Sequence, residues 1–137
     1  MSPPGVVLER DGAQYRVLLA DGAEVRAVLR GKLKRQTPQV VVGDRIQLED
    51  APQGELYGIE AVEPRRSIVE RRVPLGRGAR PVVANVDRVI VVTASIDPAP
   101  IPSLIDRLLV VPEVNELPAV LVVNKVDLDD GAALVRR

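Results

Sequence analysis

Short apolar runs alternate with polar residues through the N-terminal part of the chain. Residues 6–8, 15–19 and 25–29 are rich in β-branched and aromatic side chains, and an Asp-Gly pair separates each run from the next. Asp-Gly between two such runs is a strong signal for a tight β-hairpin. The pattern therefore predicts a three-stranded antiparallel meander.

Two further strands are predicted after a longer polar connection. Residues 45–49 alternate apolar and polar side chains, and residues 55–62 form another run after a turn. Five short antiparallel strands, with the longest connection between the third and fourth, favour a closed OB-type β-barrel over an open sheet with exposed edges. We assign this five-stranded OB-fold to residues 1–66.

The next segment differs in composition. Residues 67–86 contain Pro74, Pro81, Gly76 and Gly78, which commonly interrupt regular structure. We predict a basic Pro/Gly linker here rather than a further element.

A different pattern follows over residues 87–137. Residues 89–93 and 120–123 are continuous apolar runs, typical of buried strands in a parallel sheet. Between them, apolar residues recur at helical spacing over residues 104–109, and Pro112 is expected to end or kink that helix. Strand, helix and strand in this order predict a βαβ unit with a parallel sheet.

The tetrad Asn124-Lys125-Val126-Asp127 directly follows the second of these strands. Ligands of open α/β sheets bind beyond the carboxyl ends of the strands, so the position suits a site. A carboxylate at Asp127 offers two acceptors for the N1 and 2-amino hydrogens of guanine. The Asn124 amide can reach the other edge of the base or brace the loop, and the Lys125 stem can cover a flat ring.

Two observations leave an alternative open. Asn and Asp also favour turns, so Asn124 and Asp127 could simply cap backbone groups. No phosphate-binding Gly-x-x-x-x-Gly-Lys-Ser/Thr loop precedes the tetrad, because the only Gly-Lys pair, Gly31-Lys32, has Arg26 where the first glycine is needed. Asn-Lys-x-Asp after an apolar strand resembles the guanine-specificity motif of GTPases, in which the phosphate-binding loop normally comes first. The tetrad therefore either matches this motif by chance or belongs to a GTPase with permuted motif order.

Composition narrows the function classes. The chain has no cysteine, which excludes disulfides and cysteine-type zinc sites within these residues and is consistent with a cytoplasmic location. No signal peptide or membrane span is visible, so we expect no membrane partner. There are two tyrosines and no Phe or Trp, which argues against recognition of single strands by base stacking.

Charge separates the two halves. Residues 1–86 carry 14 basic and 11 acidic side chains, whereas residues 87–137 carry 5 and 8. The basic residues of the barrel region are predicted to bind the phosphates of folded RNA, although a solvated loop remains the alternative. These candidates are Arg26, Arg30, Lys32, Lys34, Arg35 and Arg45. A second basic cluster comprises Arg65, Arg66, Arg71, Arg72, Arg77 and Arg80.

Several motifs together resemble the bacterial small-subunit-dependent ribosome GTPase family known as RsgA or YjeQ. They are RGKLKR at 30–35, VVGDRI at 41–46, PRRS at 64–67, ANVDRVIVVTAS at 84–95, DP at 97–98, LIDRLLV at 104–110 and VLVVNKVDL at 120–128. The resemblance implies an OB-fold barrel followed by the start of an α/β P-loop-type GTPase domain with circularly permuted motifs. It also implies that Asn124, Lys125 and Asp127 contact guanine.

Activity and partners are further implications of the resemblance. Family members hydrolyse GTP, which implies GTP with Mg²⁺ in the parent protein and Zn²⁺ in a further C-terminal domain. The expected partners are the 30S ribosomal subunit and 16S rRNA during late subunit maturation, with the protein acting as a monomer in the cytoplasm.

We expect no hydrolysis by the 137-residue chain itself, because the P-loop and both switch motifs are missing from its sequence. The same reasoning assigns it no catalytic residue and no metal ligand. A non-enzymatic OB-fold RNA-binding module with an α/β appendage is the alternative function.

Overall fold

The computed structural model describes residues 2–31, 33–36, 39–73 and 78–136 of the chain. It divides into two compact units, Met1–Val86 and Asp87–Arg137. Within the described residues, no helix combines the length and the apolar character needed to cross a membrane.

Five strands of the first unit close into a barrel. They are β1 (Pro4–Asp11), β2 (Gln14–Leu19), β3 (Glu24–Leu29), β4 (Arg45–Leu48) and β5 (Leu56–Val62). Around the barrel the order is β1-β2-β3-β5-β4, and β4 returns to pair with β1. The predicted five-stranded OB-type barrel is therefore confirmed. A short helix, α1 (Leu33–Gln36), lies in the connection between β3 and β4.

One pair of strands departs from the antiparallel arrangement expected from the sequence. β3 and β5 run parallel, with Arg26 opposite Leu56 and Leu29 opposite Ile59. In a closed ring with an odd number of strands, directions cannot alternate at every neighbour, so closure requires at least one parallel pair. The hairpin signals predict the local directions correctly but do not reveal which pair closes the ring.

The barrel core follows from the alternation of side chains along each strand. Inward-facing positions carry apolar residues that are almost completely buried, whereas their neighbours in sequence reach solvent. The core consists of Val7, Tyr15, Val17, Ala27, Val40, Ile46, Leu48 and Ile59. Irregular pairing occurs in β1 between Val7 and Glu9, and such bulges increase the bend that closure needs.

A buried ion pair fixes the turn that leads into β4. Asp44 is fully buried, and its two carboxylate oxygens accept hydrogen bonds from Nε and Nη2 of Arg65, each at 2.8 Å. Asp44 also accepts a bond from the Val41 amide at 2.9 Å, and Arg65 donates a further one to the Gln39 carbonyl at 2.7 Å. Hydrogen bonding to the carboxylate raises the pKa of Arg65, so the guanidinium remains charged.

The segment predicted as a linker forms an antiparallel hairpin instead. Its strands are β6 (Ile68–Arg72) and β7 (Ala79–Ala84), and both belong to the first unit. Pro81 lies opposite Glu70 next to a shift in register, where a two-stranded sheet tolerates the missing N–H. Gly78 has a positive φ of 84° and follows Pro74, Leu75, Gly76 and Arg77, which lie outside the described residues. Proline and glycine content alone was therefore a misleading signal.

The hairpin is attached to the barrel at the same turn. The Ala84 amide donates to the Val42 carbonyl at 2.9 Å, and Nδ2 of Asn85 donates to the Gly43 carbonyl at 2.8 Å. Gly43 has a φ of 88°, and a Cβ at this position would collide with the carbonyl oxygen of Ala84. The Arg66 amide completes the junction by donating to Oδ1 of Asn85 at 2.8 Å.

The second unit contains the predicted βαβ arrangement. Strands β8 (Val89–Ala94) and β9 (Ala119–Asn124) are parallel, and α2 (Pro102–Val114) connects them. The expectation that Pro112 ends this helix early is wrong, because α2 continues past the buried Pro112 to Val114. Pro112 lies in the last turn, where few further hydrogen bonds are at stake. A short helix, α3 (Ala132–Val135), follows β9.

Only one face of the β8–β9 pair is covered by described residues. Val91 and Ile105 are buried where α2 packs, whereas the register places Ile90 beside Val120 and Val92 beside Val122 on the opposite face. These four side chains are 39–62% exposed. Parallel strands normally require cover on both faces, so the second unit presents an unusually apolar sheet surface.

The buried ion pair generates the first prediction. In Asp44→Asn the Arg65 guanidinium, whose side chain is only 17% exposed, loses the counter-charge of the fully buried carboxylate. We expect the free energy of unfolding to fall by about 3–5 kcal/mol, measured by urea denaturation of the purified chain. Glu24→Gln is the matched control, because it breaks an exposed pair with Arg16 and should cost less than about 1 kcal/mol. Equal losses in both variants would contradict a special role for Asp44.

Candidate guanine site and basic surfaces

The tetrad lies at the carboxyl end of β9. Ala94 at the end of β8 lies opposite Asn124 at the end of β9, so both parallel strands finish at the same edge of the sheet. The segments that follow them, residues 95–98 and 125–128, therefore meet there. This is the edge at which α/β sheets bind ligands.

The loop after β8 holds the backbone of the tetrad. The Ser95 amide donates to the Asn124 carbonyl at 2.9 Å, and the Ser95 hydroxyl donates to the Lys125 carbonyl at 2.7 Å. The Lys125 ammonium in turn donates to the carbonyl of Asp97. Lys125 has a φ of 60°, a left-handed conformation that residues other than glycine seldom adopt. Such backbone persists only where its surroundings enforce it, as these contacts do.

The side chains of Asn124 and Asp127 behave differently. Oδ1 of Asn124 accepts a hydrogen bond from the Lys125 amide at 2.8 Å, so this residue braces the turn. Asp127 is exposed, and its carboxylate makes no hydrogen bond or ion pair with any residue that the structure describes. The turn-cap alternative thus describes Asn124 but not Asp127, whose two acceptor oxygens are available to a ligand.

Ser95 and Asp97 were missed as site residues in the sequence. Ser95 ends the motif at 84–95 and Asp97 begins the motif at 97–98, yet nothing in their spacing indicates a contact with a tetrad some thirty residues away. The available signal was topological, since the carboxyl ends of neighbouring parallel strands share one edge. Ser95 is 8% exposed, and its buried hydroxyl serves the tetrad rather than solvent.

The structure separates the basic residues predicted to bind RNA. Arg26 lies opposite Leu56 at the start of β5. The Arg45 carbonyl accepts a hydrogen bond from the amide of Glu63, which lies just beyond the end of β5. At about 3.3 Å per residue, the two positions lie roughly 20 Å apart along the barrel. They therefore do not share one phosphate-binding patch.

Arg30 is largely engaged within the protein. Its Nη1 lies 3.1 Å from Oε2 of Glu49, its Nη2 donates to the Leu56 carbonyl at 3.0 Å, and its side chain is only 27% exposed. The same Glu49 oxygen accepts from the Gly58 amide at 3.2 Å. Arg30 thus stabilises the barrel between the β3–β4 connection and β5.

The remaining candidates vary in environment. Lys34 and Arg35 are exposed on α1, with no ion pair to the described residues, and Lys32 lies outside the described residues. Arg26 donates to Oε1 of Gln14 at 3.2 Å and otherwise faces solvent. Of the second cluster, Arg65 is committed to Asp44, whereas Arg71, Arg72 and Arg80 are exposed on the hairpin.

The described side chains form no cluster of potential metal ligands. Among the described residues, no three carboxylate, histidine or cysteine side chains lie close enough to hold a metal ion. Mg²⁺ and Zn²⁺ therefore remain expectations that the family resemblance implies for the parent protein.

Several known proteins resemble this chain in sequence. A sequence model described as RsgA GTPase matches residues 62–136. A protein of Gemmatimonas aurantiaca named small ribosomal subunit biogenesis GTPase RsgA is 42% identical over 132 residues, which cover 93% of this chain and 43% of that protein. A protein of Porphyromonas gingivalis with the same name is 36% identical over 129 residues, which cover 90% of this chain and 41% of that protein.

Solved structures give the same result. The crystal structure of YjeQ from Thermotoga maritima superposes with a TM-score of 0.74 at 31% identity, over 99% of this chain and 46% of that one. YloQ, described as a circularly permuted GTPase, superposes with a TM-score of 0.72 at 20% identity, again over 99% and 46%, and this supports the fold alone. The chain spans less than half the length of these relatives. Because the family's sequence model covers more than half of the chain, this protein belongs to the RsgA GTPase family.

Proposed function

We propose that this chain supplies the RNA-binding barrel and the guanine-recognition tetrad of a GTPase that acts in biogenesis of the small ribosomal subunit. The relatives named for that activity support the proposal. The single observation that carries the guanine assignment is the Asp127 carboxylate, which lies at the edge where β8 and β9 end and has no partner among the residues that the structure describes. An acceptor without an internal partner is what a base with two adjacent donors requires.

The roles within the tetrad divide as follows. Asp127 accepts the N1 and 2-amino hydrogens of guanine, and adenine cannot present that pair of donors. Asn124 keeps the turn in shape by accepting a hydrogen bond from the Lys125 amide. The Lys125 stem covers the flat ring of the base. Ser95 and Asp97 hold Lys125 in its left-handed conformation.

The barrel unit contributes RNA affinity through its basic side chains. We assign this role to Arg26, Lys32, Lys34, Arg35 and Arg45, with Arg30 mainly stabilising the barrel. Phosphate contacts of this kind position a protein on folded RNA without reading sequence. The 30S subunit and its 16S rRNA are the proposed partners, with the protein acting as a monomer.

Hydrolysis of GTP is proposed for the parent protein rather than for these 137 residues. Transfer of the γ-phosphoryl group depends on a backbone cradle, a lysine and a hydroxyl that together place the phosphates and Mg²⁺. The sequence offers no such loop. A chain that recognises only the base can contribute selectivity but cannot position the reacting phosphate.

The second prediction follows from that division. The purified 137-residue chain should release no phosphate from GTP above a buffer blank, with or without small ribosomal subunits. The full-length Gemmatimonas aurantiaca relative serves as the positive control under the same conditions. Subunit-stimulated turnover by this chain, retained after repeated purification, would overturn the assignment.

The third prediction concerns the choice between purine bases, tested in a protein that contains this chain and the complete GTPase domain. Asp127→Asn replaces one acceptor with an amide donor that faces the 2-amino group of guanine, whereas xanthine carries an oxygen there. One unpaired buried polar group costs about 1–3 kcal/mol, so preference should shift from GDP toward XDP by roughly 5- to 150-fold.

Competition binding of GDP and XDP measures this shift, and Asp129→Asn is the matched control. That residue undergoes the same chemical change two positions away, and its Oδ1 only accepts a bond from the Gly131 amide, which asparagine preserves. If Asp127→Asn keeps the wild-type preference for guanine, Asp127 does not read the base.

The fourth prediction separates positioning from base recognition. Ser95→Ala removes one hydrogen bond to the Lys125 carbonyl, worth about 0.5–1.5 kcal/mol, so affinity for guanine nucleotides should fall by up to about tenfold. The ratio of GDP to XDP affinity should stay unchanged, because Ser95 does not face the base. Ser103→Ala, an exposed serine at the start of α2, is the control. An altered GDP to XDP ratio in Ser95→Ala would contradict a positioning role.

A further inference from the structure

A cleft of about 740 Å³ lies on the first unit, a volume within the usual range for ligand sites. Its walls come from the end of β1 and the β1–β2 turn, strands β2 and β3, the connection that contains α1, and the hairpin strand β7. The lining residues that could contact a ligand through polar groups include Arg10, Tyr15, Lys34 and Arg80. Segments that are far apart in sequence thus meet at one concave surface.

The cleft carries positive charge without compensating carboxylates. Arg10, Lys34 and Arg80 line it, and no acidic residue does so among the described residues. The residues that the structure does not describe include no aspartate or glutamate. Lys34 and Arg80 form no ion pair with the part of the chain that the structure describes.

On another part of the barrel, an arginine is paired with carboxylates. Arg16 lies 3.1 Å from Glu9 and 3.3 Å from Glu24, and both Arg16 and Glu9 line a separate pocket with Asp11. Successive residues of a strand point to opposite sides, so Arg10 is directed away from its acidic neighbours in sequence. Among the described residues, this cleft therefore differs from the Arg16 pocket, because its cations have no carboxylate beside them.

The floor of the cleft disfavours base stacking but offers a polar group. Tyr15 is 4% exposed, so its ring face belongs to the core, and the Arg10 guanidinium lies 6.0 Å from the ring centroid. The Tyr15 hydroxyl makes no hydrogen bond to the described residues. A pocket with three cations, one hydroxyl and no accessible aromatic face suits phosphates and sugar hydroxyls rather than bases.

We infer that this cleft binds the sugar–phosphate backbone of RNA, with phosphate contacts from Arg10, Lys34 and Arg80. The inference rests on the proposed function, namely that the barrel binds RNA, and assigns the place of contact. It adds Arg10 and Arg80, which sequence spacing does not connect with Lys34. The β6–β7 hairpin thereby becomes one wall of the RNA site.

The test uses the purified 137-residue chain and a fluorescent RNA hairpin, with affinity measured by anisotropy over a range of salt concentrations. Each lost phosphate contact reduces the salt slope by about 0.7–0.9, so Lys34→Ala/Arg80→Ala should flatten it by about 1.5 and weaken binding at low salt. Arg88→Ala/Arg107→Ala removes the same charge from exposed positions of the second unit and should leave the slope unchanged. Circular dichroism verifies that each variant retains its fold.

The outcomes distinguish the inference from the proposed function. If Arg26→Ala/Arg45→Ala flattens the slope and the Lys34/Arg80 variant does not, the barrel binds RNA elsewhere and the cleft inference is overturned. If the wild-type chain does not bind the RNA at all, the proposed function fails as well. If poly-glutamate displaces the RNA as effectively as unlabelled RNA does, the cleft is a general anion site and the inference is likewise overturned.

Discussion

The first unit depends on one buried carboxylate. Asp44 joins the turn before β4 to Arg65 after β5, and its backbone carbonyl also accepts a bond from Val7 in β1 at 2.9 Å. A buried charge is tolerated only when it is paired and hydrogen-bonded, so the surrounding chain has little freedom to rearrange. Through Gly43 and Asn85, the same turn also fixes the end of the hairpin. Barrel closure and hairpin attachment are thus consequences of a single constraint.

Local structure was largely readable from the sequence because its signals are local. Asp-Gly pairs, alternation in the strands and the βαβ pattern gave the five barrel strands and the parallel pair β8–β9. The errors arose where tertiary contacts override composition. Residues 68–84 are rich in proline and glycine, but hydrogen bonds to Val42 and Gly43 stabilise them as a hairpin. Pro112 is tolerated because it is buried in the last turn of α2.

The candidate sites show the same division. The position of the tetrad followed from the rule that ligands bind at the carboxyl ends of parallel strands. The structure shows Asp127 just beyond β9, and its carboxylate has no partner among the described residues. The bracing by Ser95 could not be predicted, because it depends on a hydroxyl reaching a backbone carbonyl across the sheet edge. The basic residues were grouped by proximity in sequence, whereas the barrel places Arg26 and Arg45 at opposite ends of β5. Arg80 could not be placed beside Lys34 until the hairpin was known.

The exposed apolar face of the β8–β9 sheet affects how this protein behaves at high concentration. Ile90, Val92, Val120 and Val122 form an apolar surface on a sheet whose outer edges have no partner strand among the described residues. Unpaired edges of this kind act as templates for strands of other molecules. At high concentration the β8–β9 sheet therefore favours aggregation through strand addition, whereas the closed barrel has no such edge.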